Sequence, residues 1–117
     1  MSERDPRLYL SDIMDSGGAI QEFVKGLSFE EFCNDRKTYS AVIREFEVIG
    51  EAVGKLFGEL KQKHPDVEWQ DIKDFRNLLI HEYFGVDLGI VWKVFQDDLP
   101  ALMDAVKEIL RQESEEI

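Results

Sequence analysis

"YSAVIREFEVIGEAVGKLFGEL", residues 39–60, decides the fold class. Tyr39, Val42, Phe46, Ile49, Val53, Leu56 and Leu60 recur at steps of three and four, the spacing that lines one face of an α-helix. Arg44, Glu45, Glu47, Glu51, Lys55 and Glu59 fill the other faces. A half-buried strand would alternate every second residue, and no segment of the chain does so. The run predicts one long amphipathic helix that ends before Pro65, because the residue preceding a proline is pushed out of helical geometry.

An apolar stripe of that length needs partners, and the flanking sequence supplies them. Upstream, Asp5 is placed to cap a helix with Pro6 at its first position. Leu10, Ile13, Gly17, Ile20, Val24 and Leu27 then form a second stripe. Gly17-Gly18 weakens it by about 1 kcal/mol per glycine relative to alanine, which predicts a close helix crossing there. "SFEE", residues 28–31, matches a capping box and predicts a short helix ending near Asn34-Asp35. Downstream, a helical pattern runs from about Val67 to Phe84, with Gly85 placed to terminate it. Asp87 can cap a last helix bearing Ile90, Val91, Val94, Phe95, Leu99, Leu102, Val106, Ile109 and Leu110. Pro100 should kink that helix by removing a hydrogen bond and crowding residue 96. The polar tail from about residue 111, "RQESEEI", is expected to fray. The reading is an all-α antiparallel bundle of four to five helices, a single domain over residues 1–117.

A chain of 117 residues buries roughly 65 % of its unfolded surface, enough for one core. Its 44 % hydrophobic and 33 % charged residues exclude a disordered chain. No apolar run reaches the ~18 residues of a membrane span. Cys33 is the one cysteine, so an internal disulfide is excluded and a reducing cytoplasm is the expected setting. Cys33 and the tryptophans Trp69 and Trp92 read as packing residues. The net charge of −11 restricts nucleic-acid binding: a reader of RNA with this composition must either concentrate its few cations at one site or bind weakly.

"RNLLIHEYFGVD", residues 76–87, carries too much polarity for a plain core helix. On an ideal helix at about 100° per residue, with Arg76 at zero, Ile72, Phe75, Leu78 and Leu79 span an arc of roughly 200–320°. Trp69 and Ile80 extend that arc to about 20° and 40°. Arg76 therefore lies inside the apolar arc, and Tyr83 falls within about 20° of the same line. Asn77 and His81, four apart, share an adjoining face. A guanidinium in such a stripe keeps its charge and needs an anion or acceptors. Two readings stay open. One is a structural ion pair of Arg76 with a carboxylate such as Glu47 or Glu51, His81 being a hydrogen-bonded core residue. The other is a site that holds a phosphate with Arg76 and moves a proton with His81. His64, beside Pro65 at a helix end, reads as a solvated residue favoured by the helix dipole. No metal-ligand spacing, phosphate loop or nucleophile elbow appears.

"RNLLIHEY" resembles the Arg-x4-His-x-Tyr motif of the HepT-like toxins, a branch of the HEPN ribonuclease superfamily. The resemblance extends through "GLSFEEFCNDRKTYSAVIREFEVIGEAVGKL", "HPDVEWQDIKDFRN" and "HEYFGVDLGIVWKVFQDDLPAL", roughly residues 8–110. Glu45-Phe46 departs from the Asn-Leu common in the family, a difference expected to affect packing. The resemblance implies a homodimer whose two motifs face a shared cleft and cleave RNA without a metal or other cofactor. It implies that Arg76 and His81 are the catalytic pair, that Asn77 supports them, and that Tyr83 receives AMP from a cognate nucleotidyltransferase antitoxin. A different outcome from the same motif is a non-catalytic helical or nucleotide-binding module that partners such a transferase.

Overall fold

The computed structural model describes residues 4–56, 58–82 and 85–115, and among these every regular element is helical. In chain order they are α1 (Pro6–Val24), α2 (Phe29–Cys33), α3 (Arg36–Lys55), α4 (Gly58–Lys63), α5 (Trp69–His81), α6 (Leu88–Lys93), a π-helical turn (Val94–Asp98) and α7 (Leu99–Glu115). The elements form the expected helical bundle, with seven α-helices among the described residues where four to five were expected. Helix α3 packs along α1 on one side and across α5 on another, and α7 closes against α1.

Local chemistry starts and stops these helices largely where the sequence indicates. The Asp5 carboxylate accepts the Arg7 amide and Pro6 opens α1. Ser28 and Glu31 close the capping box of α2, each bonding the other's backbone amide. Asp87 caps α6 through the Gly89 amide. Gly26, at φ 81°, makes the left-handed turn out of α1 that an L side chain resists.

Three expectations change, and a fourth, the disturbance at Pro100, is met in the form of a π-turn. The long central run is broken: α3 stops at Lys55, Leu56 is extended, and α4 begins at Gly58. Gly54 and Gly58 flank the break and lower helix propensity there, while a turn lets both Leu56 and Leu60 reach the core. Helix α5 starts at Trp69 and ends at His81, shorter than the 67–84 pattern, with Glu82 as its C-cap. The distortion at Pro100 is absorbed one turn earlier as the π-turn around Gln96, where the wider backbone relieves the missing donor and the ring's crowding. Finally, the polar tail stays helical through Glu115, helped by the Arg111–Glu108 and Gln112–Glu108 contacts one turn apart.

The core collects the predicted stripes: Leu10, Ile13 and Ile20 of α1, Val42, Ile49 and Val53 of α3, Leu79 of α5, and Val91, Leu99 and Val106 of the last segment. Phe46 meets Phe75 edge-on at 5.3 Å, tying α3 to α5, so the Glu45-Phe46 departure does fall on packing. Trp92 packs with Phe29, Phe32 and Phe95, and Trp69 is buried with its indole N–H donated to the His64 carbonyl at 3.0 Å. Both tryptophans are packing residues. Gly17 meets Met103 of α7, as a close crossing requires; Gly18 faces nothing within 4 Å. No helix among the described residues is long and apolar enough to cross a membrane.

Candidate active site

The site begins where α5 crosses α3. Gly50 presents no side chain, and the Arg76 stem lies against its Cα; a Cβ on residue 50 would stand 2.2 Å from the Arg76 Cβ. That contact seats the aliphatic part of Arg76 on α3 and sends the guanidinium along it. Nη2 donates to Glu51 Oε2 at 2.6 Å, and Nη1 donates to Asn77 Oδ1 at 3.2 Å. Nε is buried without a hydrogen-bond acceptor among the described residues. Arg76 and Glu51 remain partly open, with a third and a half of their side-chain surface accessible (33 % and 54 %). The ion pair foreseen for Arg76 therefore exists, with Glu51, but it lies at a surface that solvent reaches.

That surface is a groove of about 390 Å³ between α1, α3 and α5. Arg4, Arg44, Lys55 and Arg76 line it with Asp12, Glu47 and Glu51. Four cations against three carboxylates make it locally positive in a chain of net charge −11. Arg4 bonds Asp12 at 2.6 Å and sits 4.9 Å over the Tyr9 ring. The bond to Asp12 raises the Arg4 pKa above its ordinary value. Arg44 pairs loosely with Glu47 at 3.9 Å. Such a groove can hold a phosphodiester: the cations neutralise it and Arg76 offers a planar fork of donors.

Arg76, Asn77 and Glu51 are thus brought together; His81, one turn beyond Asn77 on α5, is not among the residues lining the groove. It lies exposed at the end of α5, outside the groove lining and without a hydrogen bond to any described residue. This excludes the core-histidine reading of His81. Leu78 and Ile80 beside it are exposed by 41 % and 39 %, so the arc drawn through them is only partly buried, with Leu79 as its inward residue. Tyr83 lies outside the described residues. His64 is not solvated as expected; it is half-buried, and its Nε2 has no partner. Among the described residues no three of His, Cys, Asp and Glu converge on a point where a metal ion could sit.

Sequence reasoning overlooked Gly50 and the cations Arg4, Arg44 and Lys55. The signal for Gly50 was present: a glycine directly after Ile49 on the apolar side of an otherwise strong helix.

A family model described as Ribonuclease HepT-like matches residues 13–109. The chain belongs to the HepT-like ribonuclease family. Among HepT-like relatives, a "Putative RNase" of Caldanaerobacter subterraneus subsp. tengcongensis is 44 % identical over 110 residues, 94 % of this chain and 98 % of the relative. A protein of Methanocaldococcus jannaschii with the same description is 38 % identical over 107 residues, covering 92 % and 98 %. A "Probable ribonuclease HepT" of Thermococcus cleftensis is 41 % identical over 100 residues, 86 % and 91 % of the two chains. No solved structure gives a significant match. Family membership and these names support a ribonuclease.

Proposed function

We propose that this HepT-like chain is a homodimeric, metal-independent RNA endonuclease in the cytoplasm, the toxin of a pair whose nucleotidyltransferase antitoxin silences it by AMP transfer to Tyr83. The observation that carries the reading is Arg76: its stem is clamped over Gly50 and its guanidinium opens into a cationic groove. In the proposed reaction Arg76 binds the scissile phosphate and stabilises the charge that builds there. One imidazole takes the proton from the ribose 2′-hydroxyl, whose oxygen attacks phosphorus. The P–O5′ bond breaks, and a second imidazole protonates the leaving oxygen, giving a 2′,3′-cyclic phosphate and a 5′-hydroxyl. Asn77 orients Arg76.

The reaction calls for two imidazoles, and the chain's other histidine, His64, is half-buried and outside the lining of the Arg76 groove. A twofold axis beside α5 would supply the second. Exposed Leu78, Ile80 and Ile90 offer the apolar surface that such an interface would bury. AMP on Tyr83, seven positions after Arg76 in the sequence, would add an anion able to occupy the phosphate site.

The direct test is cleavage of a fluorescent RNA in excess chelator by wild type, Arg76→Ala, His81→Ala and Arg76→Lys. Each variant is expected to lose at least about 100-fold in kcat/KM with its helical circular dichroism retained. Lysine should not rescue, because a point charge does not replace a planar fork. Full activity in either alanine variant overturns the assignment. Mass spectrometry of Tyr83 after incubation with the transferase and ATP tests the silencing; an unmodified tyrosine removes that part alone.

The Arg76–Glu51 pair favours a second reading. An arginine already neutralised suits a non-catalytic module that serves only as partner to the transferase. Such a module keeps partner binding and leaves RNA intact in every variant.

A further inference from the structure

We propose that the cleft between α5 and α7 is a docking site for a cationic amphipathic helix of a partner protein. Helix α5 leans on α3 and α7 leans on α1, which leaves a cleft of about 530 Å³ between them. Phe46, Ile72, Phe75 and Leu102 make its floor. Asp66, Glu68, Asp71, Asp97 and Asp98 make its rim, and among the described residues no lysine, arginine or histidine lines it. All five carboxylates are exposed, and none is ion-paired with a described residue. The π-turn delivers two of them, Asp97 and Asp98, to the same edge.

Charge selects the occupant. Nucleic acid and anionic lipid are repelled by five uncompensated carboxylates. A second copy docked face to face would set these carboxylates against themselves. Acids converging on a metal are absent among the described residues. What remains complementary is an apolar row flanked by lysine or arginine, whose stems cover the floor while their charges meet the rim. The cleft shares no lining residue with the Arg76 groove, so the inference stands independently of the ribonuclease reading.

The test titrates the whole chain with two synthetic helical peptides of about 16 residues, identical in their leucine row and flanked by either lysine or glutamate. The lysine peptide is expected to bind at least about tenfold more tightly and to shift backbone amides around Ile72 and Leu102. Neutralising Asp71, Asp97 and Asp98 together (Asp→Asn) should weaken it at least about tenfold. A matched control, Asp15→Asn with Glu22→Gln and Glu30→Gln, removes the same charge from exposed positions outside the cleft and should change affinity less than about twofold. Equal loss in both triple variants would mean diffuse attraction and overturn the proposal. So would equal binding of the two peptides, no binding of the lysine peptide, or cleft amides that shift when the chain alone is diluted, the mark of a second copy.

Discussion

Arg76 shows how far a single residue can be read. Helical angles alone place it inside an apolar arc, so a charged partner was foreseeable, and Glu47 and Glu51 were both within reach. The structure chooses Glu51 at 2.6 Å because the α3–α5 crossing at Gly50 points the guanidinium toward it. The pair is partly exposed, so it contributes little to stability, about 0–1 kcal/mol. If Arg76 binds the scissile phosphate as proposed, Glu51 competes with that phosphate for the same donors. Glu51→Gln should therefore leave the urea midpoint nearly unchanged and lower KM for RNA several-fold, since one anion leaves the groove. An unchanged or raised KM in steady-state cleavage would show that Glu51 does not compete there. His64 marks the opposite case. Its place beside Pro65 suggested solvation, yet the fold half-buries it where Trp69 reaches back to its carbonyl.

Elements were legible wherever their limits are set by near neighbours. The caps at Asp5, Ser28 and Asp87 and the disturbance at Pro100 depend on residues within four positions. The break at Leu56 was missed because the stripe continues in phase across it. Glycines divide the same way. Gly18 lies within α1 facing open space, so Gly18→Ala should stabilise the chain by about 0.5–1 kcal/mol. Gly50→Ala puts a methyl group onto the Arg76 stem and should cost about 1–3 kcal/mol as α5 is pushed from α3. Denaturant unfolding of the two variants measures both signs, and a neutral Gly50→Ala would refute the close crossing.

At the scale of the whole molecule, charge dominates. A net charge of −11 is self-repulsion that salt screens, so raising salt at pH 7 should raise Tm. A fall would mean that the surface ion pairs outweigh the repulsion. Acid acts through particular carboxylates. Hydrogen bonds from Arg7, Ser28 and Thr38 hold Asp5, Glu31 and Asp35 below the ordinary carboxylate range. Their folded forms bind protons less readily than their unfolded forms. The stability they add is complete above about pH 5 and is lost as pH falls through the lowered folded values. Replacing all three with their amides should flatten that loss in a pH series of urea midpoints. Lys61 has the reverse sign: burial and then Lys73 lower its pKa, so its charged form costs stability at pH 7, and Lys61→Gln should not destabilise.

Sequence by itself determined that the chain is helical, where α1, α2 and α6 begin, that proline 100 would deform the last segment, and that Arg76 would need an anion. These follow from contacts within one turn of the chain. Only the tertiary structure decided that Glu51 holds Arg76, that Gly50 sets their spacing, that His81 stays exposed, and that an acid-rimmed cleft opens between α5 and α7. Each of those depends on where one helix crosses another, a position that amphipathic periodicity repeats at every turn and so leaves unspecified.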